Sequence, residues 1–146
     1  MINKTKIIFF FLILLNINNY TLAENNFFEE GKKMYNKKKY EESKFLFQRS
    51  IVFDPKNQNS YLYLAKIYKF QKNSNEEQKN INTVLLLNPK NEEANYMLME
   101  IELKKSDYLK VRELIKLFPK ICNNLCGKEK TILDSLKKLE PKNESW

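Results

Sequence analysis

The chain has no histidine, only two cysteines and two glycines in 146 residues, and its longest apolar run is the nine residues from Ile7 to Leu15. Each scarcity excludes something. Without imidazole there is no histidine-based general acid or base. Two cysteines and no histidine fall short of the roughly four ligands that a zinc site takes, and no C-x-x-C-H haem-attachment motif is present. An apolar run of this length is too short to span a bilayer, which needs about 20 residues. These absences point away from an enzyme and toward a protein that carries no cofactor.

What is present begins with residues 1–23, which read as an export signal, with an uncleaved amphipathic or interfacial anchor as the other reading. Lys4 and Lys6 give a basic start, Ile7 to Leu15 an apolar centre, and Thr21-Leu22-Ala23 a cleavage junction before Glu24. No cysteine lies near that junction, which excludes lipid attachment there. Export, most simply to a periplasm, would place both cysteines in an oxidising compartment. The remaining 123 residues, 24–146, suffice for one domain burying roughly two-thirds of its unfolded surface. They carry 24 basic and 18 acidic residues, a net charge of +6. A basic exported protein meets acidic peptides, anionic head groups or envelope polymers rather than nucleic acid.

The tetrapeptide Asp54-Pro55-Lys56-Asn57 returns as Asn88-Pro89-Lys90-Asn91, thirty-four residues later. Residues 24–57 align with 58–91 without a gap. Phe27 falls over Tyr61, Gly31 over Ala65, Met34 over Tyr68, Phe47 over Ile81, Ser50 over Val84, Phe53 over Leu87 and Pro55 over Pro89. Within each unit the apolar residues recur at helical spacing around a polar break such as Asn36 to Lys39, which predicts two amphipathic helices and a turn. The prolines end the second helices, and Asn57 and Asn91 are placed to cap the helices that follow.

This pattern resembles the tetratricopeptide repeat, a helix-turn-helix family of period 34. The resemblance rests on Gly31, Tyr40, Ser43, Ser50 and Pro55 in the first unit, and on Tyr61, Leu64, Ala65, Tyr68, Val84 and Pro89 in the second. Glu77 departs from it by standing where the family has a small residue, so the second helix there is expected to sit outward or shift register. A third unit, 92–119, matches through Leu98, Tyr108, Val111 and Ile115. Met99 replaces a small residue, and Pro119 arrives early, which should end the helix near Phe118. Residues 120–146 then supply a two-cysteine loop, a capping helix from Lys128 to Leu139 with Ile132, Leu133, Leu136 and Leu139 on one stripe, and a short tail ending at Trp146. The implied fold is all-α: an α-solenoid of three helix pairs plus a C-terminal capping helix, seven helices in all.

If the family's first-helix positions carry over, a concave groove receives Phe28, Lys32, Tyr35 and Asn36, then Leu62, Lys66, Lys69 and Phe70, then Tyr96, Glu100, Leu103 and Lys104. Alternating aromatics and lysines suit an extended peptide with apolar and some acidic side chains. The alternative is that part of this aromatic set packs between units. One subgroup of the family clamps a peptide C-terminal carboxylate, but Phe28 occupies its first basic position, so that clamp is not expected.

The carboxylate pairs Glu41-Glu42, Glu76-Glu77 and Glu92-Glu93 fall in first turns of helices, where they favour the dipole, and Ser74 with Glu77 reads as a capping box. Lys37 to Lys39 is a solvated turn, with contact to an anionic membrane surface as its other reading. Cys122 and Cys126 read as a structural disulfide worth roughly 2 kcal/mol. The expectation is therefore an exported adaptor or scaffold that holds a peptide or helix of an envelope protein. Its alternatives are a thiol-redox or cytochrome-maturation assistant using Cys122 and Cys126, and a purely architectural subunit.

Overall fold

The computed structural model describes residues 26–140, so the export signal expected over 1–23 and Trp146 lie outside the described residues. Among the described residues there are seven α-helices, one 3-10 turn and no strand. The helices are α1 (26–36), α2 (Tyr40–Phe53), α3 (Gln58–Phe70), α4 (Ser74–Leu87), α5 (Glu92–Lys104), α6 (Tyr108–Leu117) and α7 (Lys128–Leu139), with the 3-10 turn at Phe118–Lys120. α6 stops one residue short of Phe118, and Pro119 lies in the 3-10 turn that follows. The chain divides into two compact units, Met1–Tyr63 and Leu64–Trp146, and the division falls inside α3.

The period is written in backbone geometry as well as in composition. α2, α4 and α6 begin at Tyr40, Ser74 and Tyr108, each thirty-four residues after the last, and α3 and α5 begin at Gln58 and Glu92 with the same interval. The turn before each second helix places one residue in the left-handed region: Lys38 at φ 59°, Lys72 at 58° and Ser106 at 61°. Each such turn closes with a backbone bond characteristic of a helix C-terminus in this conformation, from Lys39 N–H to Met34 O, Asn73 N–H to Tyr68 O and Asp107 N–H to Glu102 O. None of these residues is glycine, so each turn carries the Cβ strain of that region.

Caps fix where the helices start. Asn57 Oδ1 accepts from Ser60 N–H at 3.1 Å and Asn91 Oδ1 from Ala94 N–H at 2.9 Å, which caps α3 and α5. α4 is capped by Asn73, whose Oδ1 accepts from Glu76 N–H at 3.2 Å, and α6 by Asp107. The capping box expected of Ser74 and Glu77 is therefore replaced. Ser74 is already inside the helix, and the residue before it takes the cap because the left-handed turn ends there. In the turns that opened the period, Asp54 and Asn88 accept from the N–H of Lys56 and Lys90, two residues on.

In the first unit the core forms around Phe47, which is fully buried with Ser43, Ser50 and Ser60. Ser43 Oγ donates to the Gly31 carbonyl at 2.8 Å, and the hydroxyls of Ser50 and Ser60 lie 3.0 Å apart. Small side chains let the helices approach, and their hydroxyls are satisfied inside. In the second unit α5 packs against α4, α6 and α7, and Ile81, Val84, Met99, Val111 and Phe118 are wholly buried. Met99, found where the family has a small residue, is accommodated without exposure. The capping helix buries a narrower stripe than its sequence suggests: Ile132 and Leu136 are buried, but Leu139 is 54% exposed.

Gly31 tests the tightness of the first unit. A Cβ added there would lie 2.7 Å from Phe47 Cε1, and that ring has no room to move because it is fully buried. Gly31→Ala is expected to destabilise by about 1–3 kcal/mol, read as a lower denaturation midpoint. Phe47→Leu in the same chain should recover part of the loss that Gly31→Ala adds, and purely additive losses would show that the two residues do not collide.

Candidate functional site

The groove residues expected from the first helices separate into two groups with different surroundings. In the first unit, Phe28 and Tyr35 belong to an aromatic cluster. Phe28 meets Phe47 at 5.8 Å and Tyr63 at 6.0 Å between ring centroids, Tyr35 meets Tyr40 at 5.6 Å and Tyr63 at 5.1 Å, and Phe47 stacks on Tyr63 at 4.9 Å. Both side chains are half-buried, so much of their area is committed to packing. Lys32 is held over the Phe28 ring at 5.4 Å and pairs with Glu29 at 3.0 Å. Asn36 is exposed at the end of α1, whereas Leu62 is only 7% exposed and belongs to the core.

In the second unit, α3 and α5 face each other through two ion pairs. Lys66 Nζ lies 2.8 Å from Glu93 Oε1, and Lys69 Nζ lies 2.5 Å from Glu100 Oε2. Tyr96 stands between Glu93 and Glu100 in the sequence of α5, and its hydroxyl is pushed above its ordinary pKa by burial and then by the Glu100 carboxylate. Lys104 and Phe70 are exposed at the ends of their helices, and Leu103 is buried in the core. Lys66, Lys69, Tyr96 and Glu100 are thus brought together, while Leu62 and Leu103 offer almost no surface to a partner.

The sequence reading missed two members of this group. In the sequence Glu93 reads only as a first-turn acid that favours the dipole, and it does lie in the first turn of α5, but its carboxylate also neutralises Lys66. Glu77 had been noted as a departure from the family pattern. It is 2% exposed in α4, and its Oε1 has no hydrogen-bond partner. Burial pushes its carboxyl pKa up, Lys104 and Lys69 pull it back, and Glu100 adds to the rise. The one signal for Glu77 in the sequence was a charged residue at a position meant for close packing. For Glu93 there was none, since a helical period does not say which lysine lies opposite.

The ion pairs also change the electrostatics of the surface. Two lysines that read as an attraction for acidic peptides are each matched by a carboxylate on α5, so the surface offers alternating charge rather than a positive field. Among the described residues no cluster of acidic residues or cysteines is arranged to hold a metal ion. Sγ of Cys122 and Sγ of Cys126 lie at bonding distance, 2.03 Å, in the loop before α7.

A tetratricopeptide-repeat family model matches residues 46–79, from the second helix of the first pair into the second helix of the next. Over those residues the chain is similar to the tetratricopeptide repeat. Solved structures share its fold at low sequence identity. The TPR2B domain of yeast Sti1, in complex with an Hsp70 peptide, superposes with a TM-score of 0.70 at 13% identity, covering 80% of this chain and 98% of that one. The second TPR domain of human RPAP3, in complex with an HSP70 peptide, gives 0.66 at 15% identity and covers 84% and 99%. The Yersinia enterocolitica type III secretion chaperone SycD, bound to a peptide of the translocator YopD, gives 0.66 at 14% and covers 80% and 91%. No curated protein sequence is significantly similar to the chain. The all-α solenoid class expected from the repeat is thereby shown.

The buried carboxylate yields a prediction with a definite sign. A carboxyl whose folded pKa is raised binds its proton more tightly in the folded state. Its destabilising effect is therefore absent below the ordinary carboxylate value, grows as pH rises to the folded pKa, and is constant beyond. Glu77→Gln removes the buried charge while keeping the shape, and is expected to be the more stable protein at neutral pH by about 1–3 kcal/mol. The advantage should shrink as pH falls toward 4. Denaturant midpoints of both proteins across pH 4–8 check this, and a gap that does not change with pH would refute it.

Proposed function

We propose that the chain is an exported, non-enzymatic adaptor that binds an extended peptide or helix of another protein of the cell envelope. The observation that carries this reading is the α3–α5 surface, where Lys66 is held by Glu93 and Lys69 by Glu100, on the helix that also carries Tyr96. A surface ordered before binding loses less entropy when a partner arrives. The three superposing domains, each bound to a peptide, support the same use of the fold. Because positive and negative groups alternate, the fitting peptide pairs apolar side chains with charges of both signs in register, and does not need net acidity. Export rests on the basic start and short apolar run within residues 1–23. In an oxidising compartment Cys122 and Cys126 form a structural bridge, for which a Cα–Cα distance of 5.2 Å is suitable. Contact of Lys37 to Lys39 with an anionic membrane surface is a secondary part of this proposal.

Exchanging one pair tests the surface without removing its stability. Lys69→Glu combined with Glu100→Lys restores the ion pair with reversed polarity. Peptides selected on the unaltered protein are expected to bind the exchanged protein at least roughly tenfold more weakly, a loss of about 1.4 kcal/mol, with little change in thermal midpoint. Equal affinity for both proteins, measured by calorimetry, would remove the α3–α5 surface from the function. Export is checked separately: the mature chain recovered from the periplasmic fraction should begin at Glu24.

A further inference from the structure

Glu92, in the first turn of α5, is bound by the loop that joins the two cysteines. Its Oε2 accepts from the backbone N–H of Asn123 at 2.6 Å, of Asn124 at 3.0 Å and of Leu125 at 3.1 Å, and its Oε1 accepts from Asn124 Nδ2 at 3.3 Å. These bonds, the Asn123 amide first, hold its carboxyl below the ordinary value. Three successive amides aimed at one carboxylate form a nest, a concavity that selects anions and that a chain makes only when it curls back on itself. The cysteines bracket those three residues. Their Cα atoms are 5.2 Å apart, where four extended steps of chain would reach about 13–14 Å. The bridge therefore ties together the two ends of the loop that presents these amides.

The two ends of α7 are held differently. At its N-terminal end the connection to α5 runs through this loop and Glu92. At its C-terminal end the Tyr108 hydroxyl donates to the Leu139 carbonyl at 2.8 Å, and Arg112 pairs with Glu140.

We infer that Cys122, Cys126 and Glu92 form a redox-dependent clasp, in which reduction of the bridge by an external dithiol releases Glu92 and frees the N-terminal end of α7 while its C-terminal end stays anchored. The inference rests on the bridge proposed above. Cys126 is exposed and Cys122 half-buried, so Cys126 Sγ is the accessible point of attack. The dithiol's thiolate bonds to that sulfur, the S–S bond breaks, and Cys122 leaves as a thiolate that takes up a proton. The second thiol of the reagent then attacks the mixed disulfide and departs with the first as a cyclic or partner disulfide, leaving Cys126 as a thiol. Two electrons pass from the dithiol to the protein. The opened loop can extend, its amides cease to converge, and Glu92 returns to water.

Hydrogen exchange on the full chain tests the clasp, comparing oxidised protein, protein reduced with dithiothreitol, Glu92→Gln, and the double variant Cys122→Ser with Cys126→Ser. Reduction is expected to speed exchange at residues 123–125 and in the first turn of α7 by roughly tenfold or more, the scale of losing one such set of contacts. Residues 136–140 should be unaffected. Glu92→Gln should reproduce that pattern in oxidised protein and add nothing in the serine variant. Equal effects of Glu92→Gln with and without the bridge, or loosening spread along all of α7, would overturn the inference. Cysteines that remain open to alkylation after oxidation would overturn both bridge and clasp, while leaving the peptide-binding result on α3–α5 untouched.

Discussion

α5 is the constraint on which the second unit depends. Eight of its 13 residues are buried, more than one face of an isolated helix can hide, so it exists only with α4, α6 and α7 around it. Its carboxylates complete the same arrangement. Glu92 binds the two-cysteine loop, Glu93 pairs with Lys66, Glu100 pairs with Lys69, and Glu102 accepts from Gln78 of α4 at 3.2 Å. One helix therefore supplies the apolar core and the polar links to three other segments. The ion pairs of Glu93 and Glu100 lie at the border of the buried face, where they lose less solvation than they would in the interior.

Glu77 and Glu92 show how position decides what the same side chain does. Both stand in the first turn of a helix, where the dipole favours a negative charge. Glu92 is exposed enough to remain solvated and gains three amide donors, so its charged form is favoured. Glu77 points into the unit, retains an oxygen without a donor, and its charged form is disfavoured. A protein that keeps such a group at a site suited to a small residue gives up stability there. Two of its charged neighbours, Lys69 and Glu100, belong to the candidate binding surface.

Much of the fold is legible in the sequence. The thirty-four-residue interval located helix starts at Gln58 and Glu92, Pro119 located the end of α6, and Asn57 and Asn91 were recognisable caps. These features are local: they depend on backbone φ, on the missing N–H of proline, or on a side chain reaching three residues along the chain. The cap of α4 was misplaced by one residue, at Ser74 rather than Asn73. The left-handed turn that decides it is made by Lys72, a residue type without a strong turn signature. The candidate site was less legible. Lys66, Lys69, Tyr96 and Glu100 could be assigned to first-helix surfaces, but Leu62 and Leu103 turned out to be core, because a face one residue wide separates solvent from interior on a helix packed on several sides.

The sequence by itself determined how many helices there are, where most begin, and that none of the described ones is long and apolar enough to cross a membrane, since these follow from period, capping and composition. The tertiary structure alone decided which charges meet. Glu93 with Lys66 is separated by 27 residues and Glu92 with Asn123 by 31, distances over which no local rule operates. The same holds for the tetrapeptide that disappears after Asn91. In its place the chain sets a two-cysteine loop whose amides wrap a carboxylate of α5, a partner that only the packing of one helix against another could bring within reach.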